Sequence, residues 1–257
     1  MAQPKARPST RKALRPRSVR GIKPYSTSEV HDLLESYYGK PNRRPRLDGT
    51  SELIWTILSQ HTSDANAERA FAALCDRYVT WVDVLEAPTD ELAATIRSGG
   101  LARQKAPRIQ QALRSIAERT GSFDISFLAA MSLEDAKLWL RSISGVGPKT
   151  AGVVLSFSMD QPAMAVDTHI HRVSKRLALI GPRVTADEAH DVLESSIAPQ
   201  QVLNLHVFLI THGRRVCKAR RPLCHECPLG GRCPSKPVYF REGDTRTPVI
   251  SLNHKPL

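Results

Sequence analysis

Four cysteines near the C-terminal end of the chain have the types and spacing that most directly suggest chemistry. They form a C-x6-C-x2-C-x5-C frame within 17 of the 257 residues: Cys217, Cys224, Cys227 and Cys233. Thiols this close together favour metal ligation over disulfides, particularly in a reducing compartment. From ligand chemistry alone, a structural zinc ion is one candidate occupant. Zinc sites usually use two short C-x(2–4)-C pairs, however, and only Cys224 and Cys227 form one.

A glycine-containing turn is the second feature. The segment Gly145-Val146-Gly147-Pro148 joins two stretches of helical pattern. Two glycines one residue apart allow the chain to reverse tightly, and proline suits the first position of the helix that follows. This predicts a helix–hairpin–helix whose backbone N–H groups face outward at a helix N-terminus, where they would bind a phosphate oxygen. A turn that binds nothing is the alternative.

Two charged residues follow this turn. Lys149 lies in the first turn of the predicted helix, at the positive end of the dipole, where a cation is mildly unfavourable. The same field favours the neutral amine, which is a nucleophile; an exposed lysine that binds phosphate is the alternative. Asp167 precedes a helix that begins near Thr168. It is either an ordinary N-cap or a carboxylate at the mouth of a cleft beside Lys149.

The segments that must position these residues have helical periodicity almost throughout. Beyond residue 100 the predicted helices cover 105–119, 132–143, 148–158, 168–180, 185–197 and 199–212. Thr185-x-x-Glu188 has the pattern of a capping box, and no segment alternates convincingly as a strand does. The fold is therefore predicted to be all-α. The remaining cysteine, Cys75, lies on another helical stretch and is predicted to be a small core residue.

Charge points to a polyanionic partner, because the chain carries a formal net charge of +12. Eight cations and no acid lie in residues 1–23, which are predicted to form a disordered basic tail that serves either as a solubilising arm or as a non-specific DNA tether. Residues 237–257 form a second, polar tail. No apolar run approaches the roughly 18–20 residues that cross a bilayer, and the N-terminus lacks a secretory pattern. We therefore expect a cytoplasmic, nucleoid-associated protein without membrane contact.

Three motifs together resemble a known family. The segment 145–151 (GVGPKTA), the segment 166–169 (VDTH) and the four-cysteine frame resemble the endonuclease III family, a branch of the helix–hairpin–helix DNA glycosylase superfamily. The resemblance runs from about residue 25 to about residue 235. It implies two helical lobes with DNA in the cleft between them. One lobe spans 45–160 and contains the hairpin; the other combines 24–44 with 161–236, and its four cysteines hold a 4Fe-4S cluster.

The resemblance also implies an activity: a monomeric, bifunctional DNA glycosylase and abasic-site lyase that removes oxidised pyrimidines from double-stranded DNA. Lys149 is the implied nucleophile, which forms a Schiff base before β-elimination cuts the strand, and Asp167 is the implied carboxylate that stabilises positive charge on the sugar. Abasic sites are then substrates as well. The implied DNA contacts are Gln60, His61, Leu101, Gly145, Val146, Gly147, Lys218, Arg220 and Arg221.

Three of these contacts have assigned roles. Leu101 matches the intercalating leucine of the family. Gln60 or His61 would fill the gap left by the flipped base, since His61 stands where the family commonly has a glutamine.

Two other functions remain open. One is a monofunctional glycosylase of the same fold that acts on mismatched adenine, thymine or uracil; Lys149 argues against it, because those relatives commonly lack this lysine. The other is a non-catalytic DNA-binding iron–sulfur protein, against which the presence of both Lys149 and Asp167 argues.

Overall fold

The computed structural model describes residues 23–41 and 46–239. In these residues the chain forms helices joined by turns and contains no strand, which confirms the all-α prediction. The α-helices are α1 (Thr27–Tyr38), α2 (Gly49–Ser59), α3 (Asp64–Arg77), α4 (Trp81–Glu86), α5 (Thr89–Thr95), α6 (Ala102–Thr120), α7 (Leu133–Arg141), α8 (Pro148–Ser158), α9 (Thr168–Leu177), α10 (Glu188–Glu194), α11 (Val202–Arg215) and α12 (Lys236–Tyr239). Short 3-10 turns cover Arg97–Gly99, Ser126–Ala130 and Pro199–Gln201.

Side-chain caps define where six of these helices begin, namely α1, α2, α3, α4, α7 and α9. Asp48 accepts hydrogen bonds from two N–H groups in the first turn of α2, and Ser132 caps α7. The predicted pairing of Thr185 and Glu188 is present: the Glu188 N–H donates to the threonine hydroxyl, and the glutamate accepts from the Thr185 N–H. Regular helix starts only at Glu188, so α10 is shorter than predicted.

The first of two hydrophobic cores is built from α2 to α8. Its buried residues all lie between Leu53 and Ala163. Helices α2 and α8 pack closely against each other, α3 and α6 pack on α2, and α7 packs on α8. Helix α5 packs on α3 and α6. This arrangement places the hairpin before α8 at one edge of the core.

The second core is built from both ends of the described chain. Val30 and Leu34 of α1 join buried residues from Met164 to Leu229, which belong mainly to α9, α10 and α11. The chain therefore passes from one core to the other between Ala163 and Met164, a few residues before Asp167.

Ion pairs connect the two cores. On one side, Lys137 of α7 donates to Glu194 of α10 at 2.7 Å. On another, Arg214 of α11 donates to Asp64, the first residue of α3, at 2.7 Å. These pairs are two points at which the helices of the two cores contact each other.

Three further predictions concern the burial of Cys75, the two tails and membrane-spanning segments. The Cys75 side chain is exposed, so its assignment to the core was wrong; the buried face of α3 is formed by Ala67, Ala70 and Leu74 instead. The tails at 1–23 and 237–257 lie outside the described residues except for Lys23 and residues 237–239. Within the described residues, no helix is long and apolar enough to cross a bilayer.

Candidate active site

The N-terminus of α8 is open to the surface. Gly147 occupies the N-cap position without a side-chain cap, and Pro148 follows it. Gly145 has φ +83°, and a Cβ atom built at Gly145 or Gly147 would meet nothing within 4 Å. Val146 differs from the two glycines, because its side chain is 6% exposed and its N–H donates to the Ile143 carbonyl at 3.1 Å. Val146 thus anchors the hairpin, and the glycines form its accessible surface.

Lys149 projects from this helix start and is exposed. Among the residues that the structure describes, none forms an ion pair or hydrogen bond with its ammonium group. The amine is therefore accessible to a ligand.

Asp167 caps α9, as the first of its two interpretations predicts. Its Oδ1 accepts a hydrogen bond from the Ile170 N–H at 2.7 Å. The side chain is only half-buried, and within the described chain only this one oxygen is engaged. Capping therefore leaves the second oxygen available.

Two helices hold the extended segment that leads to Asp167. On the α8 side, Gly152 allows close approach: a Cβ atom there would lie 3.1 Å from the Cα and Cβ atoms of Ala165 and from the Met164 carbonyl oxygen. On the α11 side, His206 hydrogen-bonds the Ala165 carbonyl through Nδ1 at 2.8 Å. Since a carbonyl can only accept, Nδ1 carries the proton. The carboxylate is thus placed relative to α8 by contacts on both sides.

His206 is the residue through which Lys149 and Asp167 are related in space. Burial lowers the pKa of His206 to about 4, and of the two charges Asp167 raises this pKa whereas Lys149 lowers it. Both charges therefore act on the same buried ring. The structure brings Lys149 and Asp167 to one region between the cores, although they are 18 residues apart in sequence.

This buried ring predicts how stability depends on pH. The folded-state pKa of His206, about 4, lies below the unfolded value of about 6.5. Stability from the neutral ring is thus complete above pH 6.5, is lost as the pH falls from 6.5 toward 4, and changes little below that. The difference corresponds to about 3 kcal/mol. Urea unfolding across this range should show a shallower decline for His206→Asn than for the wild type. His61→Asn, at an exposed position, is the control, and parallel wild-type and His206→Asn curves would contradict the expectation.

The four cysteines line one pocket, whose other lining side chains are mainly apolar and include Leu177, Val216 and Leu223. None of the four forms a disulfide. Within the described residues no three His, Cys, Asp or Glu side chains are arranged to hold a single metal ion. Burial raises the pKa of Cys227 to about 12, so only a strongly cationic occupant would stabilise thiolates here. Thiols spread around a pocket fit a multi-atom iron–sulfur cluster better than one zinc ion.

Two arginines of α9 brace the loop between the first two cysteines. Arg176 donates to the carbonyls of Lys218 and Ala219 at 2.7 and 2.8 Å, and Arg172 donates to the Cys217 carbonyl at 3.2 Å. The predicted phosphate contacts in this loop have exposed side chains: Lys218, Arg220 and Arg221. The helix that Asp167 caps therefore also orders a cationic loop at its other end.

The remaining predicted DNA contacts lie in two turns, called the tips below. The first tip is residues 60–61 and the second is residues 99–101. Gln60 directly follows α2 and is half-buried, whereas His61 is exposed with φ +54°. Leu101, just before α6, is 48% exposed with φ +49°. Left-handed backbone at residues other than glycine is uncommon and clusters at functional positions.

Two buried polar residues near these features were not identified from the sequence. His206 occupies the apolar stripe of α11, between Leu205 and Leu209, and Lys105 lies four residues before Ile109 in the stripe of α6. A charged or polar residue at a core position was a signal available in both cases.

Comparison with known proteins agrees with this architecture. Residues 54–199 match the family described as HhH-GPD superfamily base excision DNA repair protein. Residues 217–233, bounded by the first and last of the four clustered cysteines, match the iron–sulfur binding domain of endonuclease III. Endonuclease III of Thermotoga maritima is 36% identical over 203 residues, which are 79% of this chain and 89% of the relative. The Bacillus subtilis endonuclease III is 36% identical over 76% of this chain and 82% of its own length.

A solved structure gives the same result in three dimensions. The structure of a trapped covalent intermediate of endonuclease III with DNA superposes with a TM-score of 0.69 at 30% identity, covering 81% of this chain and 95% of that one. A thermostable thymine-DNA glycosylase, at 19% identity and a TM-score of 0.67, shows the likeness of fold alone. The predicted resemblance and the predicted iron–sulfur cofactor are thereby confirmed. The chain belongs to the HhH-GPD superfamily, as an endonuclease III-like DNA glycosylase of base excision repair with an iron–sulfur domain.

Proposed function

We propose that this glycosylase is bifunctional and acts on oxidised pyrimidines in double-stranded DNA, and on abasic sites. The observation that carries the proposal is the accessible Lys149 amine at the start of α8, with the half-buried carboxylate of Asp167 acting on the same buried His206. A nucleophile and an anion around one cleft are the two groups that excision through a Schiff base requires.

The reaction begins when the damaged nucleotide leaves the base stack and enters the cleft. The Lys149 amine attacks C1′ of the sugar, the C1′–N bond breaks, and the base leaves with its bonding electrons. Positive charge develops at the sugar in this step, and the free oxygen of Asp167 stabilises it. After ring opening, Lys149 and C1′ form an iminium. Loss of a C2′ proton then expels the 3′ phosphate and cuts the strand.

DNA would lie across the faces described above. The open helix start at Gly147 offers N–H groups to one phosphate, and the braced loop offers Lys218, Arg220 and Arg221 to others. Gln60 or His61 and Leu101 would enter the stack to replace the displaced base. One copy of the chain contains all these groups, so we propose a monomer. Residues 1–23 would add non-specific contacts.

We further propose Cys217, Cys224, Cys227 and Cys233 as the four ligands of the cluster. Bound there, the cluster would link segments on either side of the cationic loop and fix its shape. It would act in binding and not in bond cleavage.

Replacement of one ligand tests this assignment. Cys227→Ala is expected to lose most of its bound iron and sulfide and to unfold at a lower temperature, because a bound metal group adds its binding free energy to folding. Iron and sulfide analysis with thermal unfolding are the measurements. Cys75→Ala removes an exposed thiol outside the frame and should keep a full cluster. Full iron content in Cys227→Ala would remove this residue from the ligand set.

Borohydride trapping tests the catalytic proposal. The wild-type protein is incubated with borohydride and either a duplex that contains thymine glycol or a duplex that contains an abasic site. A covalent band with both supports the bifunctional assignment. A band on the abasic duplex alone would support the lyase activity but would show that thymine glycol is not the base that this protein removes. No band from cluster-loaded protein would favour the monofunctional or binding-only alternatives, which base release and DNA-binding assays then separate.

A further inference from the structure

Lys105 is a buried lysine whose ammonium group lies between two loops. Its side chain is 2% exposed. Its Nζ donates to the Leu58 carbonyl at 2.7 Å and to the Gly99 carbonyl at 2.8 Å. Among the described residues no carboxylate pairs with it, and burial lowers its pKa. The charge is therefore held by backbone carbonyls alone.

Stability does not explain a lysine at this position. Removing an ammonium group from water is costly, and an apolar side chain of similar length would fill the same space without that cost. The two acceptors suggest another reason. Leu58 is in the last turn of α2 and Gly99 ends the 3-10 turn, where carbonyls lack helical partners and a cation is favourable.

Each of these carbonyls lies at the base of one of the two tips. Gln60 and His61 follow Leu58 within three residues, and Leu101 follows Gly99 within two. The backbone N–H of Lys105 also donates to the Leu101 carbonyl, at 2.9 Å. Through its ammonium group Lys105 consequently contacts both turns from inside the protein. The backbone bond to Leu101 is the first helical bond of α6 and does not depend on the side chain.

The residues around the second tip add to its rigidity. A Cβ atom on Gly99 would lie 3.1 Å from the Cβ of Ala70 on α3, so this turn lies close against α3. Gly100 and Leu101 both have positive φ, which gives the tip a sharply bent backbone. The orientation of the Leu101 side chain therefore depends on how the base of the turn is held.

We propose that Lys105 is a positioning residue that sets the distance between the two tips, so that both enter the duplex at the same nucleotide. This role rests on the proposed function, in which the tips replace a flipped base. Lys105 itself touches no DNA and takes no part in bond cleavage.

Helix α6 supplies a matched control. Gln110 is 7% exposed, and its Nε2 donates to the carbonyls of Val84, Leu85 and Ala87 at 3.2, 3.3 and 2.7 Å. Like Lys105 it is a buried donor to several backbone carbonyls, but those carbonyls belong to α4 and the residue after it and to neither tip. Gln110→Met therefore reports what the loss of such a donor does to the fold alone.

The test measures insertion of the tips without any chemistry. The probe is a duplex with a tetrahydrofuran abasic analogue opposite 2-aminopurine, whose fluorescence rises when the base unstacks. With saturating protein, Lys105→Met is expected to slow this rise about 10- to 100-fold, the scale set by the free energy of hydrogen bonds to a charged group. Gln110→Met should stay within about twofold of wild type even if it lowers the unfolding temperature equally. Lys105→Gln, which keeps one donor group, should fall between wild type and Lys105→Met, and serves if the methionine variant does not fold.

A double-mutant cycle separates coupling from general damage. Leu101→Ala should slow insertion strongly in the wild type and little further in Lys105→Met, because the tip is already misplaced. Independent, multiplicative effects, or a Lys105→Met rate equal to wild type, would overturn the proposal.

Trapping on an abasic duplex reports the proposed chemistry separately. If the wild-type tips enter the duplex but no covalent band forms, the proposed reaction is contradicted, and the double-mutant cycle still decides the role of Lys105. If the wild-type tips do not enter the duplex, both the proposed function and the role of Lys105 are overturned.

Discussion

Replacing Lys149 with glutamine is expected to abolish covalent trapping of DNA by borohydride. The amine is the only group in the proposed reaction that forms a bond to the sugar, and glutamine keeps the length and polarity of the side chain without its nucleophilicity. Excision and strand cleavage should fall by roughly 10⁴-fold or more, the scale on which loss of a catalytic nucleophile acts. Trapping yield and single-turnover rates on thymine glycol and abasic duplexes measure the effect.

The structure indicates that this change should leave the fold intact. Lys149 is exposed, and a cation in the first turn of α8 opposes the helix dipole, so its removal should not lower stability. Lys175→Gln is the control. Lys175 lies in the last turn of α9, at the end away from Asp167, so this change removes the same charge at a position outside the hairpin. A Lys149→Gln protein that still forms the covalent band would place the nucleophile elsewhere.

Asp167→Asn should separate the two roles predicted for this residue. Asparagine caps a helix about as well as aspartate, so the hydrogen bond to the Ile170 N–H and the unfolding temperature should be largely kept. The negative charge beside the developing sugar cation is lost. We expect base excision to fall roughly 10²- to 10³-fold, as when one electrostatic stabiliser of a transition state is removed.

The abasic duplex makes this prediction more specific. Because its base is already absent, cleavage there should be far less sensitive to Asp167→Asn than excision of thymine glycol. Asp48→Asn removes the charge of another N-cap, which accepts from Thr50 and Ser51 at the start of α2, and should leave both reactions near wild type. If Asp167→Asn and Asp48→Asn lower the rate of base excision equally, Asp167 acts only as a helix cap.

Local patterns predicted the helices well where a strong start signal coincides with an apolar stripe. Helix α8 has the predicted bounds, 148–158, because proline at its first position and a long apolar run leave little ambiguity. Helix α10 is seven residues long, where thirteen were predicted at 185–197. The capping pair at Thr185 and Glu188 forms as predicted, but residues 185–187 precede the regular helix. Caps fix a start more reliably than periodicity fixes a length.

Contacts between distant segments account for the predictions that failed or were not made. Cys75 lies beside the buried Leu74 on α3 but faces solvent, since which face of a helix is covered depends on its neighbours. Val146 was grouped with its flanking glycines as a DNA contact, which stays a prediction. What the sequence did not indicate is that its side chain lies in the first core and that its N–H donates to the Ile143 carbonyl. Sequence spacing does not report such engagement.

The sequence alone determined the chemistry available to this protein. Cysteine spacing, the glycine hairpin with its lysine and the aspartate before α9 are each local, and local geometry follows from residue type and order. Only the tertiary structure decided which groups meet. Lys149 and Asp167 act on one buried histidine because the extended segment before Asp167 is held from two sides. Gly152 packs against Ala165 on one side, and His206 bonds its carbonyl on the other. Lys105 joins carbonyls 47 and 6 residues away. Contacts between residues this far apart depend on how whole helices pack. Packing is a property of the assembled cores and not of any one segment.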